Sequence, residues 1–485
     1  MRGAMTSSEV IVREAYIGGS WRAGRGGTFP VHDPATGQTI ASVADCTVDD
    51  LHEAIEAASK AYSRWRLTTV KERATLLLKV RDGLLASKDA IATTLTRENG
   101  KPRAEAAGEV GFSASFFEWF AEEARRQYGE TIPSSVPSKR MVTIRQPVGV
   151  AALITPWNFP IAMLARKVSA ALAAGCTCVI KPAEDTPLVA LAFAKVCQEV
   201  GVPDGVVNVV PCSRGRVQEL GAALCTSPDV KILSFTGSTV VGQWLYSRCG
   251  ATVKRVSLEL GGDAPFIVFP SAELEAAVTG VMAAKFRNTG QTCVTANRIF
   301  VHESIHDDFV SRLAQAMDQQ LKMGSGLDPA VTQGPLINSR QLHRLEQMVQ
   351  ESVRLGAEVV RGGAAHGGLY YTPTLLTAVT PDMPLAKQEI FGPVAPIIKF
   401  TTEEEVVTLA NTTDRGLAGY FYSNDMSQVW RVAEALEVGM VGVNEALVST
   451  CEAPFGGFKH SGLGKEGSKH GLDEYTQLKY ICFGV

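Results

Sequence analysis

The sequence has no stretch approaching the roughly 18 continuous apolar residues of a membrane-spanning helix, so no membrane span is expected. It also lacks a surplus of either charge. Lys and Arg number 47 against 50 Asp and Glu, and a net charge of −3 leaves no electrostatic footprint for nucleic acid or an anionic membrane surface. Any recognition of an anion must therefore be local. The opening MRGAMTSSEVIVREAY has no long apolar segment, and Glu9 and Glu14 are out of keeping with a transit peptide; the sequence does not separate Met1 from Met5 as the start. Ten cysteines without regular spacing fit a reducing compartment better than a disulfide framework, and a cytoplasmic location is expected. Repeats, low-complexity tracts and long linkers are missing as well.

What is present is a globular composition, 45% hydrophobic and 20% charged, in a 485-residue chain long enough for two or three cores. Residues 15–45 alternate short β-like runs with Gly and Asp-Pro turns, and 47–130 are mostly amphipathic helix, opened by a capping box of Thr47 and Asp50. From about 150 to 265, short apolar strands (AALITPWN, TCVIKPAE, GVVNVVP, KILSFTGS, RVSLELGG) alternate with helices, which predicts a parallel sheet wound on both faces. A second α/β series runs from 266 to about 446. KRMVTIRQPVG (139–149) and YTQLKYICFGV (475–485) read as extended segments outside both series. Strands of that kind often pair across subunits, so a homo-oligomer, dimer or tetramer, is expected.

The chemistry concentrates at strand ends. Cys293 closes the run KFRNTGQTC, and Glu259 in SLELGG lies 34 positions upstream. A thiol that attacks a carbonyl and a carboxylate that later sends water at the thioester together suggest oxidation of an aldehyde to an acid. FTGSTVVG follows a strand and opens a helix, where free N–H groups can receive a pyrophosphate; such turns also simply connect a strand to a helix. In TCVIKPAEDTP, Lys181 ends a strand and Glu184 sits in the first turn after Pro182. A carboxylate there binds ribose hydroxyls and repels a 2′-phosphate, favouring NAD over NADP, unless it only complements a helix N-terminus. Asn158 in ITPWNFP is either an N-cap or an oxyanion donor beside a nucleophile.

Together ITPWNFP, IKPAEDTP, FTGSTVVG, LELGG, FRNTGQTC, EIFGP and PFGGFKHSGLGKEG resemble, in order and spacing, the aldehyde dehydrogenase superfamily over essentially the whole chain. The resemblance implies an α/β fold with a Rossmann-like NAD-binding domain (1–130 and 150–261), an α/β catalytic domain (262–446) and a small β-strand oligomerisation region (131–149 and 447–485). It further implies Cys293 as nucleophile, Glu259 as general base, and Asn158 with the Cys293 N–H as oxyanion hole. Thr155, Pro156, Trp157, Lys181, Glu184, Gly237, Ser238 and Gly242 become cofactor contacts, with Glu389 and Phe391 at the nicotinamide ribose and ring.

Arg166 falls eight residues after Asn158 and Arg287 six before Cys293, so two guanidinium groups can reach one pocket and call for an anionic substrate tail; otherwise they are ordinary surface arginines. ARKVSAALAAGCT, KFRNTGQTC and GMVGVNEALVS resemble the succinate-semialdehyde dehydrogenases of that superfamily. This implies a carboxylate clamp of Arg166, Arg287 and Ser449, with Phe159 and Phe455 as apolar walls. Glutarate semialdehyde or another ω-carboxylated aldehyde is the alternative substrate. A CoA-acylating relative is disfavoured by Glu259, and a non-catalytic protein of this fold by Cys293, Glu259 and Asn158 together.

Three patterns have plainer readings. Some relatives carry a second Cys two residues after the nucleophile, where this chain has Thr295, so that disulfide switch is excluded; Cys451, near Ser449, is expected to be a passive loop residue rather than its replacement. HESIH (302–306) matches a zinc signature literally, but a strand before it and a capping box of Ser304 and Asp307 separate the two His, and no metal is expected. Cys176 and Cys178 are expected to be buried.

Overall fold

The computed structural model describes residues 9–485. The reading of the first residues as leaderless, the choice between Met1 and Met5, and the first eight residues of the 1–130 segment lie outside the described residues. Two hairpins come first, Ala15–Ile17 (β1) with Ser20–Arg22 (β2) and Thr28–His32 (β3) with Thr39–Ala44 (β4). Four helices follow: Val48–Trp65 (α1), Val70–Ala86 (α2), Lys88–Asn99 (α3) and Arg103–Glu123 (α4). The Thr47–Asp50 capping box forms as expected, and Thr69 with Glu72 makes a second one at α2.

After Thr131–Ile132 (β5) and Lys139–Pro147 (β6) the chain alternates: Val150–Ile154 (β7), Pro160–Ala174 (α5), Thr177–Lys181 (β8), Leu188–Glu199 (α6), Val207–Val209 (β9), Val217–Thr226 (α7), Val230–Thr236 (β10), Thr239–Cys249 (α8), Arg255–Glu259 (β11). The second series contains Ala264–Val268 (β12), Leu274–Phe286 (α9), Ala296–His302 (β13), His306–Gln320 (α10), Ser339–Arg354 (α11), Glu358–Arg361 (β14), Thr374–Thr377 (β15), Pro384–Lys387 (α12) and Val394–Phe400 (β16). It continues with Glu403–Asn411 (α13), Arg415–Gly416 (β17), Ala418–Tyr422 (β18), Met426–Ala435 (α14) and Met440–Val443 (β19). Phe458–Lys459 (β20), Gly462–Leu463 (β21), His470–Glu474 (α15) and Thr476–Gly484 (β22) complete the chain.

The first sheet runs β2-β1-β9-β8-β7-β10-β11-β21, with β7 to β11 parallel and covered on both faces by helix. Strands buried on both sides must be apolar throughout, which is why β7 and β8 read as continuous hydrophobic runs. α5 is buried on every side, an apolar helix opened by Pro160 and closed by Gly175 at φ 99, a left-handed turn that glycine adopts without strain. The second sheet runs β14-β15-β16-β13-β12-β18-β19, parallel except at β14.

The two segments read as extended outside both series pair with each other inside one chain. β22 lies antiparallel to β6 from Thr476 opposite Pro147 to Gly484 opposite Lys139, with β5 on the far side of β6. β21, from within the 447–485 segment, joins the first sheet instead, beside β11. Among the described residues no helix is long and apolar enough to cross a membrane, and the ten cysteines are free thiols, with Cys176 and Cys178 buried.

Candidate active site

β7 opens the parallel set, and later strands are added on both of its sides, β8 and β9 on one and β10 and β11 on the other. The crevice beyond the carboxyl ends of β7 and β10 is therefore the switch point at which an open α/β sheet binds ligands. Register sets Ile154 beside both Lys181 and Phe235, and Thr236 beside Glu259, so the segments leaving these strands start from one level. β11 ends at Glu259 and β12 begins at Ala264, so a short connector brings the second sheet against this crevice.

A cavity of about 1210 Å³ occupies the meeting point, and its wall contains Cys293, Asn158, Thr155, Pro156, Trp157, Lys181, Glu184, Gly237, Ser238, Glu389 and Phe391. Arg166, Arg287, Ser449, Phe159 and Phe455 line it too. Two expected residues do not. Gly242 packs α8 onto Leu260, a residue of the wall: a Cβ there would lie 2.3 Å from Leu260 Cδ2. Glu259 is buried behind the wall, both carboxylate oxygens without a hydrogen bond and Oε1 facing Gly456.

On the side of the first sheet, Ser238 stands at the N-cap of α8 without a side-chain capping bond, and Thr239, Val240 and Val241 after it line the cavity, which leaves first-turn N–H groups for an anion. Glu184 does not serve a helix terminus. That need at α6 is met by Glu98 of α3, which accepts from Leu188 and Val189 N–H at 2.7 and 2.9 Å, while Glu184 pairs with Arg214 at 3.3 Å. Lys181 donates from Nζ to Pro182 O at 2.7 Å. Glu389 accepts from Gly262 N–H at 3.2 Å; burial pushes its carboxyl up to about 7 against the pull of Arg415 and Arg344. Phe391 holds φ 54, a costly conformation for a bulky residue, and meets Trp157 edge-on at 5.4 Å.

Cys293 follows a strained turn. After α9, Asn288, Thr289 and Gly290 take φ 50, 59 and 69 in succession, and a β-branched Thr is disfavoured there. Glu105 of α4 accepts from Asn288 N–H at 2.8 Å, and the Thr289 hydroxyl donates to Gly334 O at 3.1 Å. Gly290 permits a close approach, since a Cβ would fall 2.2 Å from Gly392 O. Cys293 is half-buried at the end of this turn. Burial pushes its thiol up to about 12, with Glu389 and Glu259 acting in the same direction and the Arg166 and Arg287 cations opposing them.

Asn158 is not an N-cap. The cap position of α5 is Phe159, and Glu109 of α4 accepts the helix's Ile161 and Ala162 N–H groups at 3.1 Å each. Asn158 accepts from Phe159 N–H at 3.0 Å and donates one Nδ2 proton to Gln291 O at 3.1 Å; a primary amide carries two, so one remains for a ligand oxygen. At Glu259, burial first and the Glu466 carboxylate second raise the pKa well above the carboxylate range, opposed by Arg166, Lys167 and Lys465.

The two arginines differ. Arg166 is buried, its Nε donating to Glu466, its Nη2 to Met163 Sδ at 3.1 Å, and its guanidinium 4.0 Å from the Phe455 ring centre. Lys167 also pairs with Glu466, and these two cations outweigh burial to hold the Glu466 carboxyl below its usual range. Arg287 forms no ion pair among the described residues, its Nε is buried without a partner, and it lies 5.3 Å from the Phe159 ring. Neither is an ordinary surface arginine.

Cys451 packs beneath α4 with its thiol next to the Ser115 hydroxyl, outside the cavity wall, and Thr295 bonds to Thr292 at 2.6 Å. The expected Ser304–Asp307 capping box is absent. His302 Nδ1 caps Ser304 N–H instead, its Nε2 meets Thr401 O at 3.0 Å, and α10 starts at His306, which pairs with Asp307. Sequence reading missed Lys101, Glu105, Glu109, Asn288, Lys167, Glu466 and Arg214; only Lys167, a charge inside the otherwise apolar α5, carried a local signal.

Comparison with known proteins places this geometry in a lineage. The aldehyde dehydrogenase family description matches residues 21–481. The mitochondrial succinate-semialdehyde dehydrogenase of Rattus norvegicus is 54% identical over 98% of this chain and 91% of its own. A glutarate-semialdehyde dehydrogenase of Pseudomonas aeruginosa is 48% identical over 99% of each. The crystal structure of a succinate-semialdehyde dehydrogenase from Burkholderia pseudomallei superimposes with a TM-score of 0.97 at 50% identity over 100% of both chains. With a family match over nearly its whole length and relatives at about half identity, the chain belongs to the aldehyde dehydrogenase family.

Proposed function

We propose that the protein oxidises succinate semialdehyde to succinate with NAD through a covalent intermediate on Cys293. The observation that carries this reading is one cavity holding the Cys293 thiol and Asn158 amide together with the unpaired Arg287 and Ser449. The residues fit a dinucleotide: the open N-terminus of α8 suits its pyrophosphate, and Glu184 suits a ribose with free hydroxyls. Thr155, Pro156, Trp157, Lys181, Gly237, Ser238, Glu389 and Phe391 would hold the rest. Bound there, NAD⁺ would accept the hydride whose loss converts the Cys293 adduct of the aldehyde into the thioester.

Cys293 must lose its proton to add to the aldehyde carbon. Asn158 Nδ2 and the Cys293 N–H receive the oxygen as it gains charge, and each such donor is worth on the order of 10²- to 10³-fold in rate. Glu259 then takes a proton from water, whose oxygen attacks the thioester carbonyl; the C–S bond breaks and the acid leaves. With its carboxylate behind the wall, Glu259 has to turn toward the cavity for this step. Arg287 and Ser449 hold the distal carboxylate, and Phe159 and Phe455 flank the short carbon chain.

The semialdehyde relatives support the substrate class. Glutarate semialdehyde is the second reading, favoured by the Pseudomonas aeruginosa relative. One methylene is worth only about 1–3 kcal/mol in a pocket. The edge strand β22, with Leu478, Tyr480 and Phe483 exposed, supports a homo-oligomer joined through the β5–β6–β22 sheet. Steady-state rates on C3 to C6 semialdehydes and matched neutral aldehydes, with NAD and NADP, test the reading. The C4 acid-aldehyde with NAD should give the highest kcat/KM, and equal preference for neutral aldehydes would overturn it.

A further inference from the structure

We propose that Lys101 and Glu109 are positioning residues that set where the Asn158 amide points; this rests on the reading of Asn158 as the oxyanion donor. Lys101 is fully buried between α3 and α4 and lies outside the cavity wall. Its Nζ donates to Glu109 Oε2 at 2.6 Å and to the backbone carbonyl of Asn158 at 2.7 Å, and sits 3.9 Å from the Phe159 ring centre. The other oxygen of Glu109 accepts the Ile161 and Ala162 N–H groups. One ion pair thus grips the chain on both sides of Phe159, by the carbonyl before it and the amides after it.

The same helix holds the opposite wall. Glu105, one turn before Glu109, fixes Asn288 N–H, and Asn288 Nδ2 donates to the same Asn158 carbonyl at 2.8 Å. Asn158 Nδ2 in turn reaches Gln291 O, two residues before the nucleophile. α4 is therefore the common reference for the donor and for the turn that carries Cys293. The Asn99 amide adds a further anchor, donating to Trp157 O at 2.8 Å.

Stability does not account for this arrangement. A buried Lys–Glu pair loses so much hydration that an apolar pair of equal volume is commonly as stable or more so. An apolar pair, however, cannot donate to the Asn158 carbonyl or accept from the α5 amides. What the pair supplies is a fixed direction for that peptide. Direction matters at an oxyanion site, where a displacement of about 1 Å can cost on the order of 100-fold.

The test is a double-mutant cycle on the full-length enzyme with succinate semialdehyde and NAD: N158A, K101M, N158A with K101M, and E109Q. K101M should lower kcat on the order of 10- to 100-fold while KM stays within about twofold, and should cost nothing more once Asn158 is alanine. E109Q keeps an oxygen for Ile161 and Ala162 and weakens only the hold on Lys101, so its loss should stay below about 10-fold. A K101M loss that multiplies fully in the N158A background, or a parental rate for K101M, overturns the proposal. A parental rate for N158A sinks the oxyanion reading itself and the proposal with it. If K101M does not fold, E109Q takes its place in the cycle: a loss that vanishes in the N158A background supports the proposal, and one that multiplies fully, or no loss at all, overturns it.

Discussion

Replacing Arg287 with alanine separates recognition of the substrate's charge from the chemistry at Cys293. The Arg287 guanidinium borders the cavity, makes no ion pair among the described residues and keeps a buried Nε without a partner, so its natural counter-ion is a ligand. A charge-assisted hydrogen bond to a carboxylate contributes roughly 1.5–3 kcal/mol, which at about 1.4 kcal/mol per tenfold is about 10- to 150-fold in kcat/KM. Arg287→Ala should lose that factor on succinate semialdehyde and leave butanal or pentanal unchanged. Arg166 behaves differently because it already neutralises Glu466. Glu466 would keep Lys167 but lose one of its two buried cations, so Arg166→Ala should lower Tm and depress every aldehyde alike. The assay is kcat/KM for charged and neutral aldehydes of matched length, with a thermal melt of each variant. Equal loss of both classes in Arg287→Ala would refute the reasoning and make that arginine part of the turn's architecture.

Other outcomes follow from the same geometry. The Cys293 thiol, pushed up to about 12, is nucleophilic only when ionised, so its thiolate fraction should rise about tenfold per pH unit from pH 7 to 9 in the cofactor-free enzyme. Iodoacetamide inactivation should climb in step, and a plateau below pH 8 would contradict the pKa. Glu184→Ser removes a carboxylate from the cavity wall and frees Arg214 for a 2′-phosphate; the NADP to NAD ratio of kcat/KM should rise at least about tenfold, and an unchanged ratio would exclude Glu184 as its determinant. Leu478→Glu with Tyr480→Glu places charge on the exposed side of β22 and should shift the protein toward monomers by light scattering while preserving the monomer's fold; an unaltered mass would move the interface elsewhere.

Much of this was legible in the sequence because strand ends are marked locally. An apolar run followed by a polar turn and a helix announces β7, β8, β10 and β11, and the residues chemistry needs sit just past them. The supports were not legible. Glu105 and Glu109 lie one turn apart on α4 and look like a solvated helix face, yet they hold backbone groups 183 and 52 positions away respectively. The partner of Arg166, Glu466, is 300 residues downstream, beyond any local pattern. Ser304 with Asp307 matched a capping spacing, but a histidine nitrogen at the strand end reached the same N–H first. The need for glycine at 242 was not legible either, since it comes from the close approach of Leu260, 18 residues away.

The placement of β21, Glu466 and Phe455 has a consequence for how the enzyme is born. Cys293 leaves the ribosome well before these residues are translated, and until they arrive β11 lacks its outer neighbour and Arg166 its counter-ion. A nascent chain therefore carries a thiol in an unfinished, electrostatically different setting, and competence comes only once that late segment has emerged and docked. Outside the burial that raises its pKa in the finished fold, that sulfur ionises more readily, so the half-made chain is the form more open to alkylation or oxidation.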